Sequence, residues 1–296
     1  MKTFWNEKSR SLAGTRVALT GSTGGLGREL SRYLLERGAS LLLLDRSAER
    51  AAAHEKKLRE AFPTAEISRF PLDLSDMESV RAATEHLKKW APEVFIHNAG
   101  AYSIPRYTCP TGYDNVFQIN FASPYYMIRE LLPTLRAVGG HVMVVGSIAH
   151  RYSASDGDDW DFHTRSRASL VYGNAKRYLM AALYALFENE KAVTFSVTHP
   201  GITFTNITAH YPPLVFAIIK YPMKLIFMKP RRAALSLLAG VLSPCGYLEW
   251  IGPRVFDIWG KPCRRRLRSL KRGEVTAIAA RAEAVYRRCA AAGTEK

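Results

Sequence analysis

The chain has 296 residues, 47% of them hydrophobic, which is enough to bury a sizeable core in one large α/β domain or two small ones. It contains no run of 18 uncharged apolar residues, and its first ten residues lack the apolar centre of a signal peptide. A cytoplasmic protein, with membrane association left open, is therefore expected. The four scattered cysteines form no C-x-x-C pair and have no histidine at ligand spacing, so reduced thiols are predicted and no metal site is expected.

The net charge of +16 is concentrated near the end of the sequence. From Lys220 to Lys296 there are 17 Lys or Arg residues against 5 Asp or Glu residues. Such a basic segment fits contact with phosphate groups or an anionic membrane, but a solvated basic face is the simpler interpretation. Nucleic acid is an unlikely partner.

The first predicted unit is a strand, a glycine-rich turn and a helix. Arg16–Thr20 is a short apolar and β-branched run, and a helical pattern starts at about Gly25 and reaches Gly38. Backbone N–H groups of such a turn, with the helix N-terminus, form an anion site suited to a pyrophosphate. The residues predicted to hold it are Gly21, Ser22, Thr23, Gly25, Leu26 and Gly27.

The second apolar strand, Ser40–Asp45, ends in a carboxylate 24 residues beyond Gly21. An acid about 20 residues after the glycine turn accepts the ribose hydroxyls of NAD. Arg46 follows directly and would instead suit the 2′-phosphate of NADP. Because Asp45 would repel that phosphate, NAD is favoured and NADP is the close alternative.

The alternation of strands and helices continues, which is typical of a doubly wound parallel sheet. Polar or small residues follow two strand ends, where such sheets bind ligands. Asp73 with Leu74 is placed to contact an adenine, and Asn98, Ala99 and Gly100 allow close backbone approach to a cofactor. The predicted elements are helix 48–61, strand 66–72, helix 76–90, strand 93–97, helix 113–138, strand 141–147, strand 193–198, helix 231–242, strand 246–251 and helix 274–290.

A third group of polar residues lies in the second half of this alternation. Asn120 is a polar residue in an otherwise apolar helix, and Ser147 ends a strand 25 residues before Tyr172. Tyr172 and Lys176 share one helix face, being four residues apart. The ammonium of Lys176 is expected to lower the pKa of the Tyr172 hydroxyl, which would make the phenol a general acid and base.

Three further stretches carry predictions. The loop 156–162 holds four carboxylates, and a solvent-exposed acidic loop is favoured over a metal site because the ligand spacing is irregular. Pro200 and Gly201 turn the chain after a strand, and Thr205 follows. The apolar segment 214–228, with its lysines, is expected to wall a substrate pocket or lie on a membrane surface.

Together these motifs resemble the short-chain dehydrogenase/reductase family over residues 14–260. The cofactor motif T-G-x-x-x-G-x-G matches at Thr20, and N-A-G matches at Asn98. The catalytic positions of the family match Asn120, Ser147, Tyr172 and Lys176, and its P-G turn with a following Thr matches Pro200, Gly201 and Thr205. His97 and Gly146 depart from the commonest pattern, in which an Asn precedes N-A-G and a Ser precedes the catalytic serine.

The resemblance implies a single Rossmann-like α/β domain, with a doubly wound parallel sheet of about seven strands and helices on both faces. Residues 14–260 would form the core, 203–242 the substrate region and 261–296 a basic tail. The implied homo-oligomer contacts lie on the helices of Tyr172 and Asn120, although the basic tail could block them. The long loop between Ser147 and Tyr172 and the basic C-terminus are similar to the retinol- and steroid-handling branch.

The implied activity is NAD(P)-dependent interconversion of an alcohol and a ketone or aldehyde, on a hydrophobic steroid, retinoid or fatty alcohol. Tyr172 would exchange a proton with the substrate oxygen, Ser147 would bind that oxygen, and Lys176 would bind the nicotinamide ribose. Asn120 would hold a water linked to Lys176. Two alternatives stay open: a non-catalytic dinucleotide-binding scaffold or membrane-associated protein, and a C=C reductase of the same fold.

Overall fold

The computed structural model describes residues 10–203 and 228–292. The strands are β1 (Arg16–Thr20), β2 (Ser40–Asp45), β3 (Ile67–Pro71), β4 (Val94–His97), β5 (His141–Val145), β6 (Thr194–Thr198), β7 (Glu249–Val255) and β8 (Trp259–Arg266). The helices are α1 (Gly25–Leu35), α2 (Ala48–Ala61), α3 (Met77–Trp90), α4 (Asn115–Phe117), α5 (Ser123–Ala137), α6 (Ala168–Phe187), α7 (Pro230–Leu242) and α8 (Arg272–Ala291). A π-helical stretch, Gln118–Ala122, joins α4 to α5, and a 3₁₀ helix, Ile148–Tyr152, follows β5.

The strands form one sheet in the order β3-β2-β1-β4-β5-β6-β7-β8. All neighbouring pairs are parallel except the terminal pair β7 and β8. Central strands such as β2 are continuous apolar runs because both of their faces are covered. The predicted Rossmann-like doubly wound fold is confirmed, with eight strands in place of about seven.

Helices cover both faces of this sheet. The core on one face includes side chains of α1, α2 and α7, and the larger core on the other includes side chains of α3, α5, α6 and α8. The order of strands reverses at β1 and β4, so the chain leaves these two strands in opposite directions. The crevice at their carboxyl ends is where doubly wound folds bind nucleotides.

The basic C-terminal region is folded and does not form a free tail. Residues 261–266 belong to β8, so the predicted core boundary at residue 260 cuts a strand. Helix α8 buries one apolar face, with Ile278 and Val285 fully enclosed, against α5 and α6. These are the two helices that the family resemblance assigned to subunit contacts. The predicted last strand, 246–251, is displaced to Glu249–Val255.

The prediction of a solvent-exposed acidic loop at 156–162 is wrong for two of its carboxylates. Asp159 and Asp161 are buried, at 6% and 7% exposure. An oxygen of Asp161 accepts the backbone N–H of Asp114 at 2.7 Å, and Asp159 accepts a hydrogen bond from the Thr164 hydroxyl. The bond from Asp114 to Asp161 holds the loop over the start of α4. Backbone and hydroxyl donors offset the free-energy cost of burying the two carboxylates.

The apolar segment 214–228 lies outside the described residues except for Met228, which pairs with Thr203 through an isolated parallel bridge. Among the helices in residues 10–203 and 228–292, none is long and apolar enough to cross a bilayer.

Candidate active site

The predicted site residues meet at the carboxyl edge of the sheet. The glycine turn follows β1, Asn98–Gly100 follow β4, and Ser147 follows β5. Helix α6 crosses this edge with Tyr172 and Lys176 on the face that looks toward it. Parallel strands place the residues after their last positions at one edge, which is why separated motifs meet here.

The glycine turn has the geometry of a phosphate-binding loop. Gly21 has φ +69°, and a Cβ there would lie 2.8 Å from the Cα of Ala99. A Cβ at Gly27 would lie 2.2 Å from the Gly21 carbonyl oxygen, so α1 packs directly on the turn. No described side chain caps the N-terminus of α1. Its first backbone N–H groups are therefore available to bind a pyrophosphate, which is the ligand predicted for this turn.

Asp45 is engaged by the glycine turn itself. The buried carboxylate accepts the backbone N–H and the hydroxyl of Thr23, at 3.0 and 2.9 Å, and the hydroxyl of Ser22. A carboxylate offers about four acceptor positions, so these three bonds leave little capacity for ribose hydroxyls. Asp45 thus holds the shape of the turn, a role that the sequence spacing did not indicate.

Other predicted cofactor residues have different surroundings. Arg46 is exposed and has no hydrogen-bond or ion-pair partner within residues 10–203 and 228–292. Asp73 accepts both the N–H and the hydroxyl of Ser75, which shapes the turn after β3. The side chain of Leu74 is buried in the core, so only its backbone could face a nucleotide.

The N-A-G segment locks the cofactor turn to the catalytic side. The amide of Asn98 donates to the carbonyls of Thr20 and Gly21 at 3.0 and 2.9 Å. A Cβ on Gly100 would lie 2.8 Å from Asn120 Oδ1 and 3.5 Å from Lys176 Nζ. Gly100 therefore faces both catalytic candidates, and a larger residue would displace the Asn120 amide.

Ser147 and Tyr172 form a hydroxyl pair. Ser147 immediately precedes the 3₁₀ helix, its hydroxyl accepts the N–H of Ala149 at 3.1 Å, and its proximity to the Tyr172 hydroxyl lowers the pKa of that phenol. Gly173 makes this approach possible, because a Cβ there would lie 2.3 Å from the Ala149 carbonyl oxygen. The two hydroxyls can thus bind one substrate oxygen together.

Lys176 does not have the predicted effect on Tyr172 in this structure. Burial raises the pKa of Tyr172 to about 12, against a smaller lowering by Ser147. The ammonium lies over the phenol ring, 5.8 Å from its centroid, and donates to the Val145 carbonyl at 3.0 Å. Burial lowers the pKa of Lys176 to about 8. The tyrosine is therefore a protonated acid at neutral pH.

Asn120 lies in the π-helical stretch, fully buried. Its amide nitrogen donates to the carbonyls of Ala101 and Val116, both at 2.9 Å, and Oδ1 accepts the N–H of Ala101 at 3.3 Å. A π-helical turn leaves backbone groups without their α-helical partners, and this amide satisfies one of them. Because the amide nitrogen of Asn120 already donates to two carbonyls, the predicted water could bind only to Asn120 Oδ1, on the side that faces Lys176.

The turn after β6 packs against the β7–β8 connection. Gly201 has φ +76°, and a Cβ there would lie 2.5 Å from the Ile258 carbonyl oxygen. Pro200 precedes it at the carboxyl edge of the sheet. Thr205 lies outside the described residues.

One residue near the site, Tyr102, was missed by sequence reasoning, and the two departures from the family pattern have structural explanations. Tyr102 contacts the Tyr172 ring edge-on at 5.3 Å; its position two residues after N-A-G was the available signal. Gly146 leaves room for Met180, whose sulfur would lie 2.9 Å from a Cβ. His97 is fully buried, with Nδ1 3.3 Å from the Thr20 hydroxyl.

The tautomer of His97 follows from its neighbour. The Thr20 oxygen already accepts the N–H groups of Asn98 and Ala99, so its hydroxyl hydrogen is left for His97 Nδ1. The ring proton is therefore on Nε2, which has no hydrogen-bond partner among the described residues. Burial, then the charge of Lys176, holds the pKa of His97 well below its usual value.

A doubly wound sheet with a glycine-rich phosphate turn and a Ser, Tyr and Lys group at its carboxyl edge is the arrangement typical of nucleotide-dependent oxidoreductases. The family model described as short chain dehydrogenase matches residues 15–159. Human retinol dehydrogenase 14 is 28% identical over 268 residues, covering 82% of this chain and 78% of that protein. Mouse polyprenol dehydrogenase is 28% identical over 253 residues, covering 81% and 74%.

Solved structures share the fold. A protein of Mycobacterium paratuberculosis described as uncharacterized superposes with a TM-score of 0.74, 22% identity and coverage of 94% of this chain and 95% of that one. Other structures with this fold are complexes with NADP or NADPH. Across the curated relatives, the match spans between 62% and 78% of their length. The matches in sequence and fold make this chain similar to the short-chain dehydrogenase/reductase family of oxidoreductases.

Proposed function

We propose that this protein is an NAD(P)-dependent carbonyl reductase or alcohol dehydrogenase. The observation that carries the proposal is the placement of the Ser147 and Tyr172 hydroxyls beside the buried Lys176, whose ammonium lies 5.8 Å from the centroid of the Tyr172 ring. A scaffold that only bound a nucleotide would have no need to keep an ammonium at 1% exposure, because burying a charge costs free energy.

The chain's own residues would act on the substrate oxygen. Ser147 donates a hydrogen bond that orients this oxygen and stabilises the charge that develops on it. Tyr172, protonated at neutral pH, donates its proton to the same oxygen during reduction and accepts one during oxidation. The bound nicotinamide nucleotide supplies or accepts the hydride, and Lys176 and the turn at Gly21 would hold it.

The nucleotide is proposed to be NADP(H), in contrast to the preference that the sequence spacing gave. Asp45 is buried and already accepts three hydrogen bonds from Ser22 and Thr23, which leaves it poorly placed to select the hydroxyls of NAD. Arg46 is exposed and has no partner within the described ranges, so its guanidinium is available to a 2′-phosphate.

The substrate class is proposed to be hydrophobic, such as a retinoid, steroid or long-chain alcohol. Tyr102 and Tyr172 present aromatic surface at the site, and relatives named for retinol and polyprenol support an apolar substrate. A C=C reductase would share the fold, and only its products would differ.

The test is a product assay on purified protein with steroid, retinoid and medium-chain substrates, with NAD(H) and NADP(H) in parallel. Tyr172→Phe should lower kcat by roughly 10²–10⁴-fold, the usual contribution of a general acid. Nucleotide binding, followed by fluorescence, should stay within a few-fold of wild type. Full turnover by Tyr172→Phe would refute the mechanism, and a wild type without turnover on any substrate would favour the scaffold.

A further inference from the structure

A cavity lies at the β7–β8 end of the sheet, beside the 3₁₀ helix Ile148–Tyr152. Its volume is ≈ 410 Å³. It is lined by Arg151, Trp250, Asp257, Arg265, Arg266, Arg268 and Ser269. Four guanidinium groups thus surround a cavity with one carboxylate, which is an arrangement suited to an anion.

The single carboxylate does not neutralise this cavity. Asp257 is 2.7 Å from Arg151 and 3.5 Å from Arg265, so one acid is shared between two guanidinium groups. Arg266 and Arg268 are exposed, and their guanidinium groups have no hydrogen-bond or ion-pair partner in the described parts of the chain. The volume lies within the range of about 300–1,000 Å³ for small-molecule sites, so the cavity has room for more than a phosphate alone.

An apolar tip stands beside the cavity. The turn between β7 and β8 exposes 80% of Phe256 and 44% of Val255. Phe256 and Asp257 have φ angles of +51° and +59°, a strained conformation for non-glycine residues in a turn. The turn therefore holds an aromatic side chain in solvent at a cost in free energy, and outliers of this kind cluster at functional positions.

A third exposed apolar group is next in sequence to Arg151, which lines the cavity. Tyr152 ends the 3₁₀ helix, next to Arg151, and is 59% exposed. Aromatic and aliphatic side chains surrounded by arginines match the boundary of a bilayer, where rings enter the headgroup layer and guanidinium groups bind phosphates. The apolar part is a narrow tip, far smaller than the surface of about 1,000 Å² that a stable protein partner needs.

We propose that the β7–β8 turn and the adjoining arginine cavity form a peripheral binding surface for anionic phospholipid, with the lipid phosphate in the cavity and Phe256 inserted beside it. Because the cavity carries four arginines and one carboxylate, its charge is complementary to an anionic membrane. The proposal is independent of the catalytic function, and it places membrane contact at β7, β8 and the 3₁₀ helix.

A hydrogen-bond chain connects this surface to the catalytic serine. The Ser269 hydroxyl, which lines the cavity, donates to His150 Nε2 at 2.5 Å, and His150 Nδ1 donates to the Ser147 carbonyl at 2.6 Å. The lipid surface would therefore lie close to the candidate active site.

The test is co-sedimentation of the full chain with vesicles of phosphatidylcholine alone and of phosphatidylcholine with phosphatidylserine. Binding is expected only to the anionic vesicles. Replacing both arginines, Arg266→Ala with Arg268→Ala, should weaken binding roughly 25-fold, since each basic residue near the surface contributes about fivefold. Phe256→Ser should weaken it roughly tenfold or more, because burial of the ring is lost.

The matched control is Lys56→Ala with Lys57→Ala, which removes two exposed charges from α2 at the opposite end of the sheet. This variant should bind anionic vesicles like wild type, and melting curves should show that all three variants are folded. An equal loss of vesicle binding in the control would show that the effect depends only on net charge, and it would overturn the proposal.

Two further arms separate other ligands. Inorganic phosphate alone should shift the melting temperature little. A large shift that depends on Arg266 and Arg268, without vesicle binding, would make the cavity a site for soluble anions and refute the membrane proposal. Tighter binding to a DNA or RNA oligonucleotide than to vesicles, or a dimer that Phe256→Ser dissociates in the absence of vesicle binding, would also refute it.

Discussion

At the scale of single residues, the buried ammonium of Lys176, the proposed catalytic lysine, is held at a cost to stability. Burial lowers its pKa from 10.5 to about 8, so between these pH values the unfolded chain binds a proton that the folded chain has released. The free energy of unfolding should therefore rise as pH increases from about 8 toward 10.5. Below pH 8 the folded protein carries the whole penalty, at most about 3 kcal/mol.

Lys176→Met is accordingly expected to raise the melting temperature at pH 7 and to abolish turnover. The gain should disappear as pH approaches 10.5, which thermal scans across that range would measure. Lys56→Met, at an exposed position of α2, serves as control and should leave the pH dependence unchanged. A Lys176→Met protein less stable than wild type at pH 7 would contradict this account.

The proximity of Ser147, Tyr172 and Lys176 could be predicted from the sequence because one follows a strand end and the other two are four residues apart on a helix, whereas Asn120 was indicated only by its polarity in an apolar helix and by the family resemblance. The pKa values and hydrogen-bond partners of the site residues could not be predicted in this way. The raised pKa of Tyr172 depends on how deeply α6 is buried, and the bonds of Asp45 depend on how the turn folds back. Spacing specifies which side chains meet but not how many partners each one already has.

At the scale of elements, Gly173 sets the distance between α6 and the 3₁₀ helix that carries Ser147. Gly→Ala inside a helix usually stabilises by about 1 kcal/mol. At Gly173 the new methyl group would meet the Ala149 backbone carbonyl at 2.3 Å, and backbone cannot move as a flexible side chain does. Gly173→Ala should therefore be destabilising and should lower kcat by separating Ser147 from Tyr172.

Gly273→Ala is the control for this prediction. Gly273 lies in the first turn of α8, and a methyl group added there would have no described atom within 4 Å, so alanine should be neutral or stabilising. Chemical denaturation and steady-state kinetics of both variants would decide the matter. Equal effects at the two glycines would show that close packing at Gly173 has no special role.

Helix α8 is joined to α6 through one ion pair beside the active site. Arg177, adjacent to Lys176, pairs with Glu274 through two short bonds and also donates to the carbonyls of His150 and Ser269, both at 3.0 Å. Both side chains are mostly buried, at 11% and 19% exposure. Arg177→Leu should cost about 3 kcal/mol, because it leaves a carboxylate and two carbonyls without their partner.

The pair Arg272–Glu188 provides the comparison. Arg272 is 75% exposed, and exposed ion pairs contribute only about 0–1 kcal/mol, so Arg272→Leu should change stability little. Urea denaturation measures both. The prediction fails if the two substitutions cost the same.

The parallel strands were predictable because continuous apolar runs between helical patterns have few other interpretations. Strand β8 was not predictable from the sequence, because Trp259–Arg266 is an edge strand rich in arginine and lacks an alternation of apolar and polar residues. For α8 the pattern did predict a helix, at 274–290, but packing against α5 and α6 could not be read from it. Charge counts made this region look like a tail, although the arginines lie on its outer faces.

At the scale of the whole molecule, the buried histidines predict sensitivity to acid. Burial is the main cause that lowers the pKa of each of five enclosed imidazoles. They are His54, His141 and His150, each lowered to about 4, His97, held well below its usual value, and His199. Below pH 6.5 the unfolded chain takes up protons that the folded chain does not, so stability must fall as pH falls.

Each such histidine contributes about 1.4 kcal/mol per pH unit below 6.5 until its folded pKa is reached. The three histidines whose pKa is lowered to about 4 together remove about 4 kcal/mol by pH 5.5, and His97 and His199 add to this loss. This is comparable with the whole stability of about 5–15 kcal/mol of a typical domain. The melting temperature should therefore begin to fall near pH 6.5, above the range in which carboxylates titrate. Thermal scans from pH 7.5 to 5 measure this directly.

Single substitutions assign the effect. His54→Gln removes one of the buried imidazoles and should make the decline of melting temperature with pH less steep. His163→Gln is the matched control: its side chain is 63% exposed, and the neighbouring Asp161 raises its pKa, so losing it should leave the decline unchanged or slightly steeper. A melting temperature that stays constant between pH 6.5 and 5 would show that these imidazoles accept protons in the folded protein.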